Sequence, residues 1–162
     1  FLVILLTFRS FTIPIFLVFT IETAIYINLS FAYFSGNALS FIGYLIISTV
    51  QLGATVDYAI LLTNHYMHDR KALPKKEAAL KSLAETLPAL LVSAGILATA
   101  GFVLAATSGN PIISELGLLL GRGTLLSLGM VVLALPGLLV LCDKIIGKTT
   151  IKSDFYNSRS TR

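Results

Sequence analysis

The stretch 41–66 constrains this chain more than any other, because it is apolar almost throughout and yet carries a carboxylate. As one helix rising ~1.5 Å per residue, it is long enough to cross a hydrocarbon core of about 30 Å. Asp57 lies deep inside this run. An ionised residue at a helix centre costs roughly 2.5 to 3.5 kcal/mol on insertion scales, and such residues commonly serve proton or ion pathways.

Composition places the whole chain in a membrane. Only 12% of its 162 residues are charged and 56% are hydrophobic, whereas a soluble domain carries about 25% charged residues. The sole cysteine, Cys142, excludes an internal disulfide. No HExxH, CxxC, GxGxxG or Walker motif is present, so we expect neither a metal nor another cofactor.

Apolar runs separated by turn signals predict an all-α fold, a polytopic transmembrane helical bundle. The opening run FLVILLTF lacks a methionine and is too short to cross a membrane. We therefore expect a piece of a longer protein, with four full spans and one truncated N-terminal span. The predicted transmembrane domain is 1–146, and a basic tail follows at 147–162. The predicted spans are 1–8 (partial), 12–34, 41–66, 87–107 and 116–141.

The polar stretch before the span 87–107 has its own periodicity. Leu80, Leu83 and Leu87 recur at three- and four-residue spacing, which predicts an amphipathic surface helix leading into the span. Pro88 is expected to start or kink that span near the surface. The span itself is rich in Ala, Gly and Ser, which let membrane helices approach closely, so it is expected to pack inside the bundle.

Basic residues indicate the orientation. If the spans alternate, all Lys and Arg except Arg122 fall on one side, and the opposite loops, 35–40 and 108–111, contain none. The positive-inside rule then makes the basic loops and the tail cytoplasmic, in a plasma or inner membrane. This distribution explains the net charge of +4 without a nucleic-acid partner. His65 and His68 lie at a helix end beside water and are interpreted as interfacial side chains rather than metal ligands.

Polar residues of the central stretch share one region of its helix. Gly53, Asp57 and Asn64 lie on one face. An adjoining strip extends this polar face: Gln51, Thr55 and Tyr58. We interpret Asp57 as a protonatable carrier and Tyr58 as its hydrogen-bond partner, since an intramembrane carboxylate is costly. The structural alternative is a neutral or paired carboxyl that only fixes helix packing.

Two further polar residues lie within predicted spans. Glu22 is a candidate second carboxyl, for which a relay role and a packing or lipid-interface role both stay open. Arg122 lies ~30 Å along a helix from Asp143, so it is expected to snorkel at the outer interface. Gly121 and Gly123 beside it are interpreted as positions of close packing or bending.

Several segments resemble one superfamily. The run QLGATVDYAILLTNHY and the later EAALKSLAETLPALLVSAGILATAGF are similar to the resistance–nodulation–division (RND) superfamily, and the MMPL-like branch is the nearest. FRSFTIPI and ISELGLLLGRGTLLSLGMVVLALPGLLVL also look like that branch. The most specific part is a Gly-x-x-x-Asp-Tyr pattern, formed here by Gly53, Asp57 and Tyr58.

This resemblance implies a transporter with two pseudo-repeated halves, each with one span, a large extracytoplasmic porter domain and five further spans. The chain matches the last five spans of the C-terminal half, and Glu22 is not part of the family pattern. Asp57 would accept the proton and Tyr58 would assist it. The implied partners are membrane lipids, a hydrophobic or amphipathic substrate, protons, the N-terminal half and the porter domain.

The leading hypothesis is therefore part of a proton-motive-force-driven secondary active exporter of lipids or drugs. One alternative is a protein-export motor subunit of the same superfamily, although such subunits usually lack the Asp-Tyr pair in this form. Another is a sterol-sensing-like regulatory bundle that binds lipid without transport. A purely structural membrane subunit is a further alternative, against which Asp57 weighs. None of these alternatives is an enzyme.

Overall fold

Four long helices make up the chain over the residues that the computed structural model describes, which are 4–5, 8, 10–34 and 41–149. In chain order they are α1 (Thr12–Phe34), α2 (Phe41–Asp69), α3 (Lys75–Thr107) and α4 (Pro111–Thr149). Each contains a segment that is long and apolar enough to cross a membrane. The predicted all-α transmembrane bundle is therefore confirmed.

The helices differ from the predicted spans mainly at their ends. Helix α1 covers the residues of the predicted span 12–34, whereas α2 and α4 continue beyond theirs. Helix α3 begins at Lys75 because Pro74, with φ −59° and ψ 152°, is the extended residue that precedes it. Pro88 lies inside α3, so its predicted place at the start of a helix is wrong. The amphipathic segment and the span form one continuous helix.

Some predictions fall on residues that the structure does not describe. They include the loop 35–40, most of the truncated span 1–8 and the tail beyond Thr149. The division into 1–146 and 147–162 therefore stays a prediction. Within the opening run, Ile4 and Phe8 are described, and both are buried in the core.

Helix α4 lies at the centre of the packing, because α1, α2 and α3 each contact it. The main hydrophobic core joins side chains from all four helices, including Leu17, Tyr58, Leu90 and Leu135. It extends to the end of the bundle formed by the 70–74 turn, the first turns of α1 and the last part of α4. We refer to this end as the basic end, after Arg70 and the lysines around it.

Glycines bring α3 and α4 into backbone contact. A Cβ added at Gly101 would lie 2.6 Å from the backbone nitrogen of Gly121, and one added at Gly117 would lie 2.6 Å from the carbonyl oxygen of Gly101. Such distances leave no room for a side chain of any size. The prediction that small residues pack this span inside the bundle holds for the buried face of α3, namely Ala94, Ala98 and Gly101, and is wrong for Ala89, Ser93, Gly95 and Ala100, which are exposed.

Candidate functional site

Helix α2 carries Asp57 on its exposed side. Gly53 and Asn64 are exposed on the same side, and a Cβ added at Gly53 would meet no atom within 4 Å. These three residues share a face, as their spacing predicts. Among the described helices, none covers that face, so Asp57 is open to whatever surrounds the bundle on this side.

The adjoining strip lies on the buried side of α2. Gln51, Thr55 and Tyr58 are all buried, and Tyr58 belongs to the main core. At about 100° of rotation per residue, the side chains of Asp57 and Tyr58 leave the helix in different directions. The predicted polar face therefore consists of an exposed stripe and a buried stripe. The assignment of Asp57 and Tyr58 as a proton relay stays a prediction.

Gln51 connects three helices through hydrogen bonds. Its Oε1 accepts a bond of 2.9 Å from Nδ2 of Asn28 in α1, and its Nε2 donates one of 3.1 Å to Oγ of Ser127 in α4. Nδ2 of Asn28 also donates to the carbonyl oxygen of Leu119 at 3.1 Å. Since the three side chains are buried, these partners replace the water that their amide and hydroxyl groups lose.

Arg122 is bound to the same cluster. Its Nε donates to Oδ1 of Asn28 at 3.0 Å, its Nη2 donates to the carbonyl oxygen of Asn28 at 3.1 Å, and its guanidinium lies 5.3 Å from the ring centre of Phe31. The guanidinium is therefore bound to α1, and its expected snorkelling to the outer interface stays a prediction. Two fixed acceptors and an aromatic face stabilise the guanidinium in this position. We call Asn28, Gln51, Arg122 and Ser127 the inner polar cluster.

Gly123 provides the room for this cluster. A Cβ at this position would lie 2.5 Å from Nδ2 of Asn28 and 2.7 Å from Oε1 of Gln51. The neighbouring Gly121 faces α3, where an added Cβ would lie 2.9 Å from the ring of Phe102. Both glycines therefore permit close packing, which agrees with the first of the two interpretations given to them.

A second cluster joins α2 to α4 at the basic end. Asp143, which is 2% exposed, accepts a hydrogen bond of 2.8 Å from the hydroxyl of Tyr66. Arg70 binds the same carboxylate through both oxygens, from Nε at 2.9 Å and from Nη2 at 3.0 Å. Two parallel bonds to one carboxylate fix both distance and orientation, so this pair holds the end of α2 against α4. We call Tyr66, Arg70 and Asp143 the basic-end clamp.

Glu22 lies apart from Asp57. It lines a cavity of about 220 Å³ between α1 and α2, together with Tyr26, Tyr44 and Ser48. At 100° per residue, the α2 side of this cavity is roughly opposite to Asp57. The two intramembrane carboxyls are therefore not brought together within this bundle, although a relay role for Glu22 is not tested by that separation.

The clusters contain residues that the sequence analysis did not combine. Asn28 and Ser127 were not assigned to any site, and neither were Tyr66 and Asp143. The inner polar cluster has no signal in the sequence, since Asn28, Gln51 and Arg122 lie 6, 10 and 11 residues from the helix ends Phe34, Phe41 and Pro111. For the basic-end clamp, the pattern of an aromatic hydroxyl and an arginine near one helix end gave no indication of the partner.

Comparison with known proteins identifies one family. Residues 1–158 match the family model of the MMPL family. Neither the search of curated proteins nor that of solved structures gave a match. Over the residues that the structure describes, no group of three His, Cys, Asp or Glu side chains could hold a metal ion.

Proposed function

Because this chain belongs to the MMPL family, whose members are membrane transporters of the RND superfamily, we propose that it forms part of a proton-driven exporter in which Asp57 carries the coupling proton. The substrate class that we propose is hydrophobic or amphipathic, such as a lipid or a drug. The N-terminal half and the extracytoplasmic porter domain implied by the resemblance are the proposed partners in that work.

One observation carries the proposal, namely the position of Asp57 on the exposed side of α2. A carboxylate within a membrane span is rarely left against hydrocarbon, and it faces protein or a water-filled cavity in nearly all cases. Bound to water or to a second polar face, it can lose and regain a proton. A carboxyl that served only to fix the packing of α2 would be expected on the buried side, where Gln51 lies.

The exposed stripe supplies the surroundings that such a carrier needs. Gly53 lies one turn before Asp57 and leaves open space beside it. Asn64 lies two turns after it on the same face and can hydrogen-bond water. Tyr58 and Thr55 are proposed to act from the buried side, by holding α2 in a fixed rotation so that Asp57 points outward. Under this proposal Tyr58 positions the carboxyl.

The experiment is a measurement of substrate-coupled proton flux in vesicles that carry the full-length protein. Asp57→Asn keeps the size and hydrogen bonding of the side chain but cannot ionise, so we expect coupled flux to be lost at equal expression. Glu22→Gln is the matched control, because it removes the other exposed intramembrane carboxyl, which lies roughly on the opposite side of α2. We expect this variant to keep its flux.

The outcomes separate the competing hypotheses. Unchanged flux in a folded Asp57→Asn protein would contradict the proposal and return Asp57 to a packing role. Loss in both variants would make Glu22 a second relay carboxyl. A parent protein that binds lipid but shows no coupled proton flux at all would favour the sterol-sensing-like alternative. Flux that requires a translocating polypeptide would favour the export-motor alternative.

A further inference from the structure

The basic end contains a polar cleft, and of the residues that line it only Asn64 has a role in the proposed function. It has a volume of about 460 Å³ and lies between the last turns of α2 and the first turns of α3. Its lining is entirely polar or charged: Asn64, His65, His68, Asp69, Lys81 and Glu85. All of these except Asn64 are titratable or charged groups that face one another across the cleft, and among the described side chains of α1 and α4 none lines it.

Two of these groups, Asp69 and Lys81, form an ion pair. Asp69 is 5% exposed and accepts hydrogen bonds from Nζ of Lys81 at 2.9 Å and from Oγ of Ser82 at 3.0 Å. This ion pair ties the end of α2 to the first turns of α3. The side chain of His68 is 86% exposed, and its Nδ1 lies 3.9 Å from Oδ1 of Asp69, which is too far for a hydrogen bond.

His65 and Glu85 form a looser pair. Nδ1 of His65 lies 3.4 Å from Oε2 of Glu85, and the two side chains are 42% and 45% exposed. Glu85 is also 3.7 Å from Nζ of Lys81. An exposed pair at such a distance contributes little to stability. In the tautomer that donates from Nδ1 to the carboxylate, Nε2 of the imidazole is free to take up a proton from water.

The cleft reaches the face of α2 that carries Asp57 through Asn64 and His68, whereas His65, ~12 Å along the helix axis from Asp57, is rotated from it by about 80°. Asn64 follows Asp57 by two turns and His68 follows it by three, which corresponds to ~10 Å and ~16 Å along the helix axis. Two apolar side chains lie between Asp57 and Asn64 on this side of α2, namely Ile60, which is partly buried, and Leu61, which is exposed. Asn64 both shares the stripe with Asp57 and lines the cleft.

We propose that His65, oriented by Glu85, exchanges protons between bulk water and Asp57 through this cleft. The inference rests on the proposed function, in which Asp57 carries the coupling proton. A proton released by the Asp57 carboxyl passes through water beside Asn64 to Nε2 of His65, and the resulting imidazolium, stabilised by Glu85, releases it to the bulk. Histidine suits this step because it ordinarily gains and loses a proton near neutral pH.

The test is chemical rescue in vesicles of the full-length protein, with the buffer varied on the side of the basic end. His65→Ala is expected to lower coupled proton flux several-fold in dilute buffer. Imidazole added on that side should restore the flux, because a mobile base replaces the lost one. His68→Ala is the matched control, since it removes the other histidine of the cleft, which makes no contact with Glu85. It should keep the flux of the parent.

The two proposals fail in distinguishable ways. If Asp57→Asn keeps its flux, the proposed function itself is wrong. If Asp57→Asn loses flux but His65→Ala equals the parent at every buffer concentration, only the role of His65 is overturned. A loss of flux in His65→Ala that imidazole does not restore would also overturn it. A second variant, His65→Gln, should show the same rescuable loss if the loss comes from the missing imidazole and not from the alanine. An equal, rescuable loss in His68→Ala would contradict the assignment to His65.

Discussion

At the scale of the residue, Gly123 shows how a position without a side chain supports a buried hydrogen-bond network. The amide groups of Asn28 and Gln51 occupy the space that a Cβ of residue 123 would need. The inner polar cluster joins α1, α2 and α4 only because that space is open. A methyl group there would push two amide groups away from partners that replace water, and unsatisfied buried amides are costly.

We expect Gly123→Ala to destabilise the bundle by about 1–3 kcal/mol, the usual cost of overpacking a closely packed interior. The matched control is Gly129→Ala, six residues further along α4, where an added Cβ meets no atom within 4 Å. The midpoint of thermal unfolding of the purified protein in detergent measures both. Equal midpoints for the two variants would contradict the role assigned to Gly123.

The sequence was sufficient to group Asp57 with its neighbours on one face of α2, but not to distinguish the exposed residues around it from the buried ones. Spacing alone groups Gly53, Asp57 and Asn64 on one face, and the structure agrees. Spacing does not say which face of a membrane helix is buried, because apolar residues occur on all sides. Gln51 therefore could not be separated from Asp57 until its partners, Asn28 and Ser127, were known. The partners of Arg122 could not be predicted for the same reason, since they lie on another helix.

At the scale of the element, α3 and α4 form a pair whose spacing depends on glycine. Each backbone occupies the volume that a side chain of the other would fill, at Gly101 and Gly117. Membrane helices associate through close van der Waals packing of this kind, because lipid provides no hydrophobic driving force between them. Backbone atoms cannot turn aside as a flexible side chain can, so the contact tolerates no enlargement.

Gly101→Ala should therefore force α3 and α4 apart. We expect it to lower the free energy of unfolding by an amount toward the upper end of about 1–3 kcal/mol, and to lower the midpoint of unfolding accordingly. Gly95→Ala is the control on the same helix, because a Cβ added at Gly95 meets nothing within 4 Å. Unfolding by heat or by SDS compares the two. A Gly101→Ala protein as stable as Gly95→Ala would contradict the tight contact.

The ends of the elements were less predictable than their existence. Apolar runs reveal where a span must be, whereas a helix continues as long as its backbone groups find partners. Lys75–Leu87 and the span after it were predicted as two segments divided near Pro88, but they form one helix. A proline within a membrane helix is tolerated when neighbouring groups satisfy the freed carbonyl, and sequence alone does not reveal those neighbours.

At the scale of the whole molecule, the orientation of the bundle in the membrane determines which side the proposed proton exchange at Asp57 would serve. The predicted orientation rests on the basic residues, which lie around the 70–74 turn and not in the 108–110 turn at the other end. The structure places these turns at opposite ends of α3. The cleft of His65 and Glu85 opens at the basic end, so it is predicted to face the cytoplasm.

Labelling of single cysteines tests this orientation. In a Cys142→Ala background, we expect a membrane-impermeant maleimide applied to intact cells to label Gly109→Cys. Lys71→Cys should react only after the membrane is permeabilised. Both positions are exposed in the structure, so a lack of labelling would reflect the membrane rather than burial. The reverse pattern would invert the orientation and place the cleft outside.

The two clusters on α4 also restrict how the bundle can move. The inner polar cluster and the basic-end clamp join α2 to α4 at points separated by ~22 Å along each helix, from Gln51 to Tyr66 and from Ser127 to Asp143. Two helices fixed to each other at two heights can neither roll nor slide independently. Any transport cycle that preserves these bonds must turn Asp57 together with α4, as one rigid body that swings its carboxyl between two environments.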